Sequence, residues 1–113
     1  MSSCSTDYVG KAKDFVAEIE KNGNDWDADK WESVMNDMLD LTLDFYKSSP
    51  TKEQYEEFSK IKLEDALGKL KEDAQMKAFA ALMKIASSDK YKEIEKAEAD
   101  LEKSLGDKEE KKD

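Results

Sequence analysis

The chain has 113 residues, 19 of them basic and 28 acidic, and every basic residue is a lysine. The absence of arginine and histidine excludes imidazole general bases, Ser-His and Cys-His nucleophiles, histidine metal sites and the arginine fork that reads bases and phosphates. A formal net charge of −9, with 42% charged and 38% apolar residues, four glycines and one proline, points to one small domain of amphipathic helices. Its negative field disfavours nucleic acid and anionic membrane surfaces. No apolar run reaches the 18 or so residues of a transmembrane helix.

The expected fold class is all-α, a single small bundle of about four mainly antiparallel helices. The third helix is expected to be long and kinked or split. Residues 1–6 read as a flexible tether, 7–105 as the bundle and 106–113 as a disordered charged tail with no apolar residue.

The chain opens Met1-Ser2-Ser3-Cys4-Ser5-Thr6-Asp7, and its one cysteine excludes an internal disulfide. Small residues before a cysteine near the start resemble the lipobox of bacterial lipoproteins, over four to seven residues. Ser2 and Ser3 match the small positions, and Met1 stands where an apolar residue is usual. The resemblance implies diacylation of Cys4, removal of a basic, apolar signal peptide, and anchoring at the periplasmic or outer surface of the cell envelope. Without the lipid, a cytoplasmic chain is expected.

Tyr8, Val9, Ala12, Phe15, Val16 and Ile19 share one helical face, predicting a first helix from about Asp7 to Lys21, with Ser5 or Thr6 as cap and Asp7 favouring its positive end. Asn22-Gly23-Asn24 is expected to stop it through the left-handed conformation these residues tolerate. A second helix follows Asp27 as cap, with Trp26 and Trp31 spaced as a hydrophobic staple. Capping by Asp29, with Glu32 closing a capping box, is the alternative start. The broad apolar arc from Trp31 through Tyr46 marks this helix as central, touching two neighbours.

Ser48-Ser49-Pro50-Thr51 breaks the pattern, proline suiting the first helical position after a serine cap. The next stripe begins with Tyr55, Phe58 and Ile61 and changes phase to Leu63, Ala66, Leu67, Leu70 and Ala74. One long helix from Pro50 to about Ala86, kinked between Lys60 and Asp73 with Gly68 as weak point, is the expectation. Its end, residues 78–86, is apolar nearly all round, as in a segment enclosed by neighbours. Ser87-Ser88-Asp89 caps a last helix with a narrow stripe, Tyr91, Ile94, Leu101 and Leu105, interrupted by Glu98 and ended by Gly106.

Asp25, Asp27 and Asp29 match the first three ligand positions of an EF-hand calcium loop. Lys30 replaces the turn glycine and Asn36 the closing glutamate, so helix capping explains the aspartates better. Asp37, Asp40 and Asp44 form an acidic stripe that reads as a solvated face. Trp26 and Trp31 could stack on a flat ligand if exposed, and Met35, Met38, Met76 and Met83 could line an adaptable groove; core packing is the commoner role for both sets.

No catalytic residue and no cofactor is expected. The function expected is non-enzymatic: a lipid-anchored, exported helical domain that binds or scaffolds at the bacterial envelope. Two alternatives stand beside it. One is a soluble structural bundle that self-associates through residues 76–86 or through the side of the bundle that the last helix leaves bare, and the other is a carboxylate or metal-dependent enzyme, disfavoured by the missing histidines.

Overall fold

The structure, a computed structural model, describes residues 7–110, and side chains as far as Gly106. Every regular element among them is helical: α1 (Tyr8–Asn22), a 3-10 turn (Gly23–Asp25), α2 (Ala28–Lys47), α3 (Lys52–Ser59), α4 (Leu63–Leu67), α5 (Glu72–Ala86) and α6 (Asp89–Glu110). The all-α bundle is as expected, but its helices are more numerous.

Two starts follow directly from local sequence. Asp7 is itself the cap of α1, its carboxylate accepting the Gly10 N–H at 2.9 Å. Asp27 caps α2 by accepting the Lys30 N–H at 2.8 Å, and Trp26 meets Trp31 edge-on with centroids 4.9 Å apart, closing the staple. The Asp29 capping alternative is not adopted, because Asp29 lies in the first turn of α2.

The single third helix is not formed; it breaks twice. Lys62 is extended (φ −109°, ψ 122°) between α3 and α4, and Lys71 is extended (φ −69°, ψ 158°) between α4 and α5. The second break is stabilised from outside the segment. Asn24 Oδ1 accepts the Lys71 N–H at 2.8 Å and Gln75 Nε2 donates to the Leu70 carbonyl at 2.9 Å, so backbone groups released from the helix keep partners. The gain is burial of Ala66, Leu67 and Leu70 on one short ledge. Upstream, Pro50 lies before the cap rather than in the first turn. Thr51 is the cap, in a reciprocal box with Gln54 at 3.1 and 2.9 Å, and Ser49 turns the chain with a left-handed φ of 59°.

The central helix is α2, which packs on α1, α5 and α6. Trp31 (0% exposed), Trp26, Val34 and Met35 join Ile19, Leu67, Leu70, Ala74, Ala78, Ala81 and Ile85 in the main core. At the other end of α2, Phe45 stacks on Phe58 with centroids 4.1 Å apart and meets Tyr8 edge-on at 5.7 Å. Exposed ion pairs join α2 to α5 (Lys84–Glu32, 3.1 Å) and to α6 (Lys90–Asp40), each worth roughly 0–1 kcal/mol.

Gly106 does not end α6, which continues to Glu110; one glycine costs a helix only about 1 kcal/mol. The remaining expected tail, 111–113, and the expected tether, 1–6 with Cys4, lie outside the described residues.

Gly23 corrects a further expectation. Its backbone is right-handed (φ −58°, ψ −31°), so its need for glycine is one of space. A Cβ there would stand 2.9 Å from Leu70 Cδ1 and 3.1 Å from Trp31 Cζ2. Gly23→Ala should therefore destabilise the fold by about 1–3 kcal/mol, the range for overpacking a filled core. Gly106→Ala, where an added methyl meets nothing within 4 Å, should instead stabilise it by up to about 1 kcal/mol through helix propensity. Urea unfolding midpoints of the two variants are expected to move in opposite directions.

Candidate functional site

The surface that departs most from an ordinary amphipathic pattern is on α5. Ala74, Ala78 and Ala81 face the core, with Ala78 0% exposed, while Met76, Phe79 and Met83 point outward at 69%, 54% and 76% exposure. The helix thus buries mainly alanines, with Ile85 at its end, and turns three of its large apolar residues to solvent. Small inward residues allow α5 to approach α2 closely beside the buried indole of Trp31. The end of this segment is therefore not enclosed, contrary to expectation. At 100° per residue, Met76, Phe79, Ala80 and Met83 fall within an arc of about 100°, a contiguous apolar stripe. Such stripes on small charged proteins mark partner surfaces.

A second feature is polar. Glu98, the residue that interrupts the α6 stripe, lies with Glu102 against two phenols. The Tyr55 hydroxyl is 2.7 Å from Glu102 Oε2 and 3.0 Å from Glu98 Oε2, and the Tyr46 ring lies alongside that of Tyr55 with centroids 6.2 Å apart. A phenol has one proton to donate. The shorter contact, to Glu102, is where the Tyr55 proton is best placed, with Glu98 as the second acceptor beside it. Burial raises the pKa of Tyr46 well above that of a free phenol, and the negative charge of Glu98 raises it further; burial and the hydrogen bonds to Glu102 and Glu98 do the same for Tyr55. The cluster ties α6 to α2 and α3. Its hydrogen bonds join helices far apart in sequence, which makes it a structural clamp.

Beside it runs an open groove of about 550 Å³ between the end of α2 and α6, floored by Pro50, Ala97, Leu101 and Leu105. Lys47 and Lys96 on its rim are matched by Glu93 and Asp100, so it offers no net charge to a ligand of either sign. A smaller, mostly polar cavity of about 380 Å³ lies between the start of α1 and α3.

The residues singled out by sequence disperse. Asp27 is occupied as a cap, Asp25 and Asp29 are exposed, and no three potential metal-binding side chains converge among the described residues. In the acidic stripe Asp40 pairs with Lys90, while Asp37 and Asp44 face solvent. Trp26 and Trp31 are core, and Trp31 Nε1 is buried without a hydrogen-bond partner. Met35 is buried and Met38 half-buried, whereas Met76 and Met83 belong to the exposed stripe. Among the described residues no helix is long and apolar enough to cross a membrane. Sequence reasoning missed the Tyr46–Tyr55–Glu98–Glu102 cluster; its one visible signal was a glutamate inside an apolar stripe.

Comparison with protein-family models, with curated proteins and with solved structures returns no match.

The clamp carries a pH signature. Because the folded pKa of each phenol is raised, its stabilisation is fully present below the unfolded tyrosine pKa of 10.0 and is lost as pH climbs beyond it. Unfolding should become easier above about pH 10, and the slope with pH should flatten in Tyr46→Phe and Tyr55→Phe. Absorbance of ionised phenol near 295 nm, followed with denaturation at each pH, would show both phenols releasing their protons only as the fold is lost.

Proposed function

We propose that this chain is a non-enzymatic helical domain that binds or scaffolds at the bacterial cell envelope, held there by a lipid on Cys4. The observation that carries the binding half is the outward stripe of Met76, Phe79 and Met83 on α5. Large apolar side chains held on a rigid helix give a partner area at small entropic cost, and Met adapts to irregular surfaces. With no arginine in the chain, aromatic and methionine anchors take the role that arginine often fills at interfaces.

Support for the anchor is the resemblance of Ser2-Ser3-Cys4 to a lipobox. It fits the charge, since a net −9 is repelled by anionic lipid headgroups and association must then come from acyl chains. Two chains on one cysteine suffice for stable attachment. Asp7 caps α1 three residues after Cys4, so the start of the bundle could lie no more than about 10 Å from the lipidated residue and would ride close to the bilayer.

A second reading, a self-associating bundle without an anchor, is favoured by the order of residues in the α5 stripe, which reads nearly the same in both directions.

Growth of cells expressing the natural gene with radioactive palmitate should label the protein, and Cys4→Ser should abolish the label and release the protein from the membrane fraction. An unlabelled wild-type protein would remove the anchor and leave the second reading.

A further inference from the structure

We infer that the outward face of α5 is covered by a second copy of the same chain, the two helices lying antiparallel about a two-fold axis that passes between Phe79 and Ala80. The inference rests on the reading that this face is the binding surface and names its occupant.

The argument is one of self-complementarity. A two-fold interface sets one patch against itself, so each residue must suit the residue at its mirrored height. Around a centre between positions 79 and 80, Met76 is opposite Met83 of the second copy, and Phe79, on one edge of the stripe, lies beside Phe79 of the second copy, with Ala80 beside Ala80 on the other edge. Flexible thioethers meet each other, the two rings come together near the axis, and the alanines leave the opposite edge open to close approach. These four residues share the exposed arc described above, with Met76, Phe79 and Met83 all more than half exposed.

Charge follows the same symmetry. Antiparallel pairing sets the acidic first turn of α5, Glu72 and Asp73, beside the basic last turn, Lys84. Asp73 and Lys84 lie along the same edge of the stripe at helical spacing, and their mirrored heights differ by two residues, about 3 Å. A lysine side chain spans that offset. Lys84 already bridges to Glu32 at 3.1 Å and remains 69% exposed, free to take a second carboxylate. A parallel pairing would instead set acid on acid and base on base, and would align the helix dipoles unfavourably.

Size sets the expected strength. Taking about 200 Å² for each full side chain, the three large residues offer roughly 400 Å² per copy. The pair then buries well under the 1,200–2,000 Å² of a standard interface, so the dimer should be weak, with a dissociation constant in the range of about 10 μM to 1 mM.

The test uses the full-length chain with Cys4→Ser, so that the natural thiol does not interfere. Sedimentation equilibrium up to about 1 mM should show mass rising toward the dimer, and Phe79→Glu should shift the midpoint upward by at least tenfold, since it buries an unpaired charge at the centre. Circular dichroism of that variant checks that it is folded. Register is tested separately by oxidising a mixture of Met76→Cys and Met83→Cys chains. Cross-links between position 76 of one chain and position 83 of another are expected, because facing positions on packed helices come within disulfide reach. Neither variant alone should cross-link appreciably, its two thiols lying about 10 Å apart along the axis.

A chain that stays monomeric to 1 mM overturns the inference, as does a dimer unaffected by Phe79→Glu or a preference for 76–76 and 83–83 links. The broader reading fails on a different observation. If Phe79→Glu leaves the cross-links formed by the protein in intact cells unchanged, the α5 face is not a binding surface; if it removes links to another protein from a chain that is monomeric when pure, the face stands and only its occupant changes.

Discussion

Accommodation of one indole governs the rest of the bundle. Trp31 is fully buried near the start of α2, and several features make sense only as clearance for it. Gly23 leaves no atom where a methyl would press on both Trp31 and Leu70. The second break in the segment after Ser59 sets Leu67 and Leu70 in the same cluster as the indole. On α5 most of the inward positions, 74, 78 and 81, are alanines, because a large side chain on α2 and a close helix approach leave little volume between them. The buried Nε1 has no acceptor, a cost of about 1–3 kcal/mol that the packing of so large a ring must offset.

That constraint propagates outward. A helix that must give its inward positions to alanine has its larger apolar residues elsewhere, and here they face water. The usual relation between hydrophobicity and burial is inverted on α5, by a requirement of shape rather than of solubility. An isolated monomer gains nothing from Met76, Phe79 and Met83 in solvent, whereas an associating one gains both the area and a rigid helix to display it on. The opposite solution holds at α6, where the narrow apolar strip of Ile94, Leu101 and Leu105 is supplemented by the Tyr55 phenol hydrogen-bonded between two carboxylates. One helix lacks enough apolar contact and is tied by polar atoms; the other carries more apolar surface than the core can use.

The split between what was legible in the sequence and what was not follows the range of the interactions. Capping acts over three residues, so Asp27 and the Trp26–Trp31 staple could be read directly, and α2 could be recognised as central from the width of its arc. The breaks at Lys62 and Lys71 could not. The phase change from Phe58 to Leu63 shows that the stripe rotates, but whether the backbone bends or breaks depends on acceptors such as Asn24, 47 residues from the amide it serves. The α5 stripe was hidden for a related reason. A segment apolar on all sides looks the same whether neighbours enclose it or leave half of it bare, and only the arrangement of α2 and α6 decides. The alternation of small and large residues, Ala78 beside Phe79 and Ala81 near Met83, was the available clue. The tyrosine cluster needed Tyr55 and Glu102 to meet across 47 positions, which no local spacing shows.

The all-lysine, strongly acidic composition then bears on how such a face would work. Two copies each carrying −9 repel at a distance, so the proposed association would be slow to begin and weak at low salt. Salt at physiological strength reduces that repulsion to a range of about 8 Å, while the contact between methionines and phenylalanines is untouched by it. A membrane tether at Cys4 would act in the same direction by a different route. Confinement near a surface raises effective concentration toward the millimolar range without any new contact, enough to populate a dimer that dilute solution would leave mostly dissociated. With such a tether, repulsion at range and a modest apolar face would together make the proposed interaction respond to local density, forming where the protein was crowded on a surface and dissolving where it was sparse.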